Sequence, residues 1–182
     1  MAKQSRLSIP TLKVSYQYQH PNASSQTSHF PSFKGRLTLA DALVYADKEL
    51  DCETIIEVST LTGACMVALG QKVAGVWTTN DSLAEELSSA SKQTGDKSWR
   101  MPMESEYNDQ LESKIADITN CGTRYGGAIT AALFLQNFVD EKKPFAHIDI
   151  AGPVWDDAKG ATGFGAKLVT EWVKRQGEEK ED

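Results

Sequence analysis

Residues 54–79 read TIIEVSTLTGACMVALGQKVAGVWTT, and the texture changes twice along them. TIIEVST (54–60) is a short run rich in β-branched residues, the composition of a buried strand. GACMVALG (63–70) is small and apolar, which suits a tight helical turn or a loop. VAGVWTT (73–79) returns to strand composition. The rest of the chain extends this alternation. Upstream, Leu39, Leu43, Ala46 and Leu50 fall at helical spacing. Downstream, residues 81–94 predict a helix capped by Asp81 and stopped at Gly95. ESEYNDQLES (104–113) reads as another helix. GGAITAALFLQNFVDE (126–141) is apolar nearly all round, so that helix should be buried. FAHIDI (145–150) predicts a third strand, and GAKLVTEWVKRQ (165–176) an amphipathic closing helix. The tail, 177–182, is GEEKED. Alternating helices and strands predict a three-layer α/β domain with helices on both faces of a sheet. Three strands make a thin sheet for such a fold, so the sequence reads as an incomplete part of a larger domain.

Composition narrows the classes. The 182 residues are 40% hydrophobic and 24% charged, which is ordinary globular composition. No apolar run is long enough to span a membrane. Residues 1–34 hold Lys3, Arg6, Lys13 and Lys34 and no acid. The remaining residues therefore carry 15 of the 19 basic and all 25 acidic side chains, a net of −10. An acidic body argues against nucleic acid as a partner. Cys52, Cys65 and Cys121 are scattered and odd in number, which fits neither a disulfide framework nor a paired metal motif. A reducing, cytoplasmic location is the simplest expectation. Residues 1–34 hold seven serines and three prolines without a sustained apolar period, and read as a disordered leader unrelated to the rest. Their acid-free, Ser-rich character loosely resembles an organelle transit segment, which keeps a plastid or other organelle open as the alternative.

Several motifs admit two readings on spacing alone. Arg36 stands before the helix that starts near Leu39, where a guanidinium could grip an anion or a developing oxyanion. The alternative is a surface arginine paired with a carboxylate, which spacing alone favours. STLTGA (59–64) runs from a strand into a loop, where α/β folds place ligands; it could equally be a plain connection needing Gly63 for its turn. CGTRYGGAIT (121–130) lacks the spacing of a phosphate loop, so its glycines read as turn or close-packing positions. His147 and Asp149 share one face of their strand, but no third metal ligand is evident and a structural histidine is the simpler reading. Asp156 and Asp157 read as solvated loop acids.

One resemblance goes further than the spacing. GRLTLADALVYA (35–46) resembles the second half of the signature of the leucyl aminopeptidase (cytosol aminopeptidase) family, which normally runs Asn-Thr-Asp-Ala-Glu-Gly-Arg-Leu-x-Leu-Ala-Asp. STLTGACMVALG, WRMPM, GGAITAALFL, HIDIAGPVW and ATGFG follow in family order, from about Gly35 to Arg175, and are similar to its plant-like branch. The resemblance implies the C-terminal part of a catalytic domain with a mixed sheet between helices. It also implies hexameric assembly and release of N-terminal residues, often leucine, from peptides. In the family two divalent metals, manganese or zinc, activate a bridging water. By the same resemblance Arg36 is the catalytic arginine, which helps hold a bicarbonate and supports the tetrahedral intermediate. Thr60, Leu61 and Gly63 line the substrate amine and carbonyl, and Ala151 forms a wall of the side-chain pocket.

The departure lies just upstream. The family's metal-binding Asp and Glu fall at Ser32 and Lys34. Serine is a poor ligand for either metal, and a lysine ammonium is repelled by dications. The first acid of the whole sequence is Asp41, so the preceding residues supply none of the family's other carboxylate ligands. The expectation is a chain that holds no metal and does not hydrolyse peptides alone. The alternative is a non-catalytic fragment or pseudoenzyme that joins a homo-hexamer or full-length paralogue subunits. Unpaired sheet edges also raise the expectation of a marginal fold.

Overall fold

The computed structural model describes residues 34–178 together with Val14–Ser15. In chain order the elements are β1 (Val14–Ser15), α1 (Lys34–Glu49), β2 (Ile55–Ser59), α2 (Gly63–Leu69), β3 (Ala74–Trp77) and α3 (Asp81–Thr94). Then come β4 (Ser98–Arg100), a 3-10 helix (Ser105–Leu111), β5 (Ile118–Thr119), α4 (Gly127–Gln136) and β6 (Phe145–Asp149). The short strands β7 (Trp155–Asp156) and β8 (Gly160–Ala161) precede α5 (Ala166–Glu178). The main sheet has the order β2-β6-β3-β4. β2 pairs with β6 in parallel, β6 with β3 antiparallel, and β3 with β4 in parallel. The sheet is therefore mixed. β1 pairs with β5, and β7 with β8, as separate two-stranded ribbons.

Strand alternation assigns the layers. Ala146, Ile148 and Ile150 pack with Ala74, Val76, Leu83, Leu87 and Leu168, so α3 and α5 cover one face. Ile55 and Phe145 point the other way, against Ala40 and Leu43 of α1 and the apolar surface of α4. Trp77 shares that second face with Cys65 of α2 and Ala128 and Ala132 of α4. The expected helix–sheet–helix layering is observed. α4 is buried along nearly its whole length, as its all-round apolar sequence requires. Its Phe134 is fully buried and lies 4.9 Å from Phe138, ring centre to ring centre. Burial of such a side chain contributes about 1.5–3 kcal/mol.

Six details depart from the sequence reading. β4 is a three-residue edge strand the sequence did not signal; among the described residues it pairs only with β3. The cap of α3 is Asn80, whose side chain accepts from Leu83 N, and Asp81 is the first helical residue. Residues 105–111 form a 3-10 helix, and α4 ends at Gln136, short of the expected 141. α1 begins at Lys34, so Arg36 lies inside the helix rather than before it. α5 runs through Glu178, past the expected start of the charged tail; residues 179–182 lie outside the described residues. The outer edge of β2 has no strand partner among the described residues.

Candidate functional site

β2 and β6 run side by side and end together, with Ser59 opposite Asp149. Open α/β sheets place ligands outside such carboxyl ends. The chain leaves β2 through Thr60 and Leu61 and turns at once into α2. It leaves β6 through Ile150 and Ala151. One side chain ties the two exits together. The Asp149 carboxylate is fully buried. Its Oδ1 accepts from Leu61 N at 3.1 Å and Ala151 N at 3.0 Å. Its Oδ2 accepts from Thr62 N at 2.9 Å and from the Thr62 hydroxyl at 2.7 Å. The same Thr62 oxygen accepts from Cys65 N at 3.0 Å and so caps α2. Four donors converge on one carboxylate and fix the loop 60–63 against residue 151.

Arg36 reaches this corner from the first turn of α1. Its side chain is buried, which corrects the sequence preference for a surface arginine. Its guanidinium donates from an Nη to the Asn120 carbonyl at 2.8 Å. Burial lowers its pKa, opposed by the nearby Cys121 and Asp149, whose charges favour the cation. Arg36 and the Asp149-held loop are thus close enough for their charges to interact. An arginine pinned at one nitrogen keeps the rest of its fork for an anionic oxygen.

The residues singled out from the sequence fall into two groups. Thr60 and Gly63 are exposed, Leu61 is buried and Ala151 is half-buried. The Leu61 N–H is held by Asp149, so among its backbone groups the carbonyl is the one left to face a ligand. Gly63 has no positive φ, and a Cβ there would meet nothing within 4 Å. The turn therefore does not require glycine, and space lies open in front of the loop. Gly126 behaves as the sequence suggested, with φ of 66° at the start of α4 and Tyr107 against it.

His147 lies on the same face as Asp149 but is used differently. It is fully buried, hydrogen-bonded through Nδ1 to Glu57 of β2, and stacked on Trp77 at 5.5 Å. The structural reading of His147 stands on these contacts. Glu57 and the organising role of Asp149 were missed. The available signal was a carboxylate ending a strand that is otherwise fully buried. Asp156 accepts from the N–H groups of Ala158 and Lys159 and shapes a tight turn.

The donors for a metal are of the wrong kind at the signature positions. Ser32 lies outside the described residues, and Lys34 opens α1. Among the described residues no three His, Cys, Asp or Glu side chains group as a metal ion needs. Neither the chemistry of Ser32 and Lys34 nor the described carboxylates fit a two-metal centre.

A family model described as the cytosol aminopeptidase family, catalytic domain, matches residues 32–170. The chain belongs to the cytosol aminopeptidase family. It is 55% identical over 146 residues to a probable cytosol aminopeptidase of Acaryochloris marina, covering 77% of this chain and 29% of that protein. It is 56% identical over 141 residues to leucine aminopeptidase 2, chloroplastic, of Oryza sativa, covering 77% of this chain and 23% of that protein. Among solved structures, a tomato leucine aminopeptidase mutant superposes with a TM-score of 0.76 at 55% identity, over 78% of this chain and 28% of that one. The bottromycin maturation enzyme BotP in complex with Mn gives 0.75 at 36% identity, over 79% and 33%. The chain thus spans about a quarter to a third of the length of these relatives and solved structures. No helix among the described residues is long and apolar enough to cross a membrane.

Proposed function

We propose that this chain carries the substrate-facing side of a leucyl aminopeptidase site and does not hydrolyse peptides by itself. The observation that carries the proposal is the buried Arg36 beside a loop locked by Asp149, behind a stretch with no acid before Asp41. In this reading Arg36 supports a developing oxyanion, and Thr60, Leu61 and Gly63 line the substrate amine and carbonyl. Ala151 borders the pocket for the N-terminal side chain. The manganese or zinc pair that would activate water in intact relatives is not held here, because Ser32 and Lys34 replace carboxylates. Residues 35–176 then form the C-terminal part of a catalytic domain, with 1–34 an unrelated leader and 177–182 a tail. The location is cytoplasmic; the chloroplastic rice relative supports a plastid as the alternative.

The test is hydrolysis of leucine amide by the purified chain, with and without added manganese or zinc. No turnover, beside an intact family member that works in the same buffer, is the expected result. Metal-dependent turnover that vanishes in Arg36→Ala overturns the proposal of inactivity.

A second reading is favoured by the open outer edge of β2 and by exposed Val67, Ile115 and Tyr125. The chain then joins intact subunits of the family as a non-catalytic member. Co-elution with a full-length paralogue supports this reading; elution as a lone monomer in the paralogue's presence refutes it.

A further inference from the structure

At the end of the domain away from Arg36, the tail of α1 meets the turn that leads into β6. Lys143 is the hub of this junction. Its ammonium donates to the Asp47 carbonyl at 3.1 Å, lies 3.2 Å from Asp47 Oδ1, and contacts Cys52 Sγ at 3.9 Å. Cys52 also donates to the Ala46 carbonyl at 3.4 Å, which orients its sulfur toward the helix end. Both residues line an open cavity of about 380 Å³, together with Asp140 and Pro144. The other two thiols are placed differently. Burial, with the nearby Asp149 charge, pushes Cys65 up to about 11, and burial raises Cys121. The Cys65 thiol donates to the Asp149 carbonyl and the Cys121 thiol to the Gly122 carbonyl. Cys52 is a half-buried thiol with solvent access and an amine held against it.

We propose that Cys52 and Lys143 form an oxidative modification site, in which peroxide inserts one oxygen between Cys52 Sγ and Lys143 Nζ. The chemistry balances with two molecules of hydrogen peroxide. The first oxidises the Cys52 thiol to its sulfenic acid and leaves as water. Lys143 gives up one ammonium proton to the solvent of the open cavity, which frees the nitrogen lone pair. The second peroxide then takes one hydrogen from the sulfenic hydroxyl and one from the amine. The N–O bond forms, and two waters leave. Sulfur is oxidised in the first step and nitrogen in the second; peroxide is reduced in both. The product is a covalent S–O–N bridge between residues 52 and 143. Cys52, Cys65 and Cys121 are all free thiols.

The bridge closes a loop of about ninety residues, since the two side chains are 91 positions apart. Long closed loops restrict the unfolded chain most, so the oxidised form should melt higher by roughly 10 °C.

The test is treatment of the purified full chain with hydrogen peroxide, followed by intact mass and tryptic mapping. The expected product gains one oxygen and loses two hydrogens. After tryptic digestion the peptides bearing Cys52 and Lys143 should travel as one cross-linked species that dithiothreitol separates. The species should be absent in Cys52→Ser and in Lys143→Arg. Cys52 carried on to sulfinic acid, with the Lys143 peptide recovered unlinked and unchanged in mass, overturns the proposal. So does the same mass gain persisting in Lys143→Arg. The mapping of the unmodified sequence decides the question even if either variant folds poorly.

Discussion

Replacing Asp149 by alanine should be among the most damaging single changes in this domain. The carboxylate is fully buried and accepts from Leu61 N, Thr62 N, Ala151 N and the Thr62 hydroxyl. Leu61 and Thr62 are themselves buried, so water cannot replace the lost acceptor at their N–H groups. Each such orphaned group costs about 1–3 kcal/mol. Ala151 is half-buried and recovers part of its loss through solvent. Removing the charge also takes a favourable neighbour from the Arg36 guanidinium. The sum is about 3–5 kcal/mol, at the high end for one substitution. In a domain of this size that lowers the melting temperature by roughly 10 °C. Asp149→Asn keeps one acceptor oxygen but turns an amide donor toward other donors, so it should lose about half as much. The assay is urea unfolding followed by tryptophan fluorescence, in which the buried Trp77 reports on the adjacent strand. Amide exchange at residues 61, 62 and 151 should accelerate in step. A loss below about 1 kcal/mol for the alanine variant, with an unchanged m-value, would refute the account of Asp149 as the tie between the two strand ends.

Other outcomes follow from single contacts. A Cβ on Gly152 would lie 2.2 Å from the Gly70 carbonyl oxygen, a backbone atom, so Gly152→Ala should cost about 3 kcal/mol or more. Gly63→Ala meets nothing and should leave thermal melting nearly unchanged; a large drop there would contradict the open space in front of the loop. Burial pushes the Asp47 carboxyl up, but hydrogen bonds from Lys48, Lys143 and the Asp140 N–H outweigh it and hold the group below its usual value. The unfolded chain therefore binds the Asp47 proton first as pH falls. The stability Asp47 contributes is present above its unfolded pKa and is lost as pH drops through the folded one. Melting temperature plotted against pH should be flatter in Asp47→Asn on the acid side of about pH 4, and equal slopes would exclude this role. Cys65, pushed up to about 11 by burial, should stay unlabelled by iodoacetamide near neutral pH in the native chain and react on unfolding.

Strand composition made β2, β3 and β6 legible, because each carries β-branched or aromatic residues at buried positions. β4 was not legible. Three residues with Trp99 alone favouring a strand carry no periodicity, and its pairing depends on β3 being in place. The 3-10 helix at 105–111 shows helix-forming composition, but its shortness and its packing beneath α4 decide the tighter winding. Family motifs brought Arg36, Thr60, Leu61, Gly63 and Ala151 to notice before any geometry was known. What no local pattern could show is that Asp149 sits 87 and 88 positions from the backbone groups it holds. The Glu57–His147 bond has the same character, since either residue alone reads only as a polar interruption in an apolar strand.

The parallel pairing of β2 with β6 has a consequence for how the domain is assembled. Ile55 finds Phe145, and Glu57 finds His147, only after some ninety intervening residues have been laid down. During synthesis β2 emerges with its inner edge unpaired while α2, β3 and α3 are still being made. β3 cannot close the gap, because its partners are β6 and β4 rather than β2. The sheet is therefore completed by its last long strand, inserted between two that are already waiting. Such late, long-range closure makes folding slow relative to helical domains of similar size. In the interval before β6 arrives, β2 and β3 each present an unpaired edge to other chains.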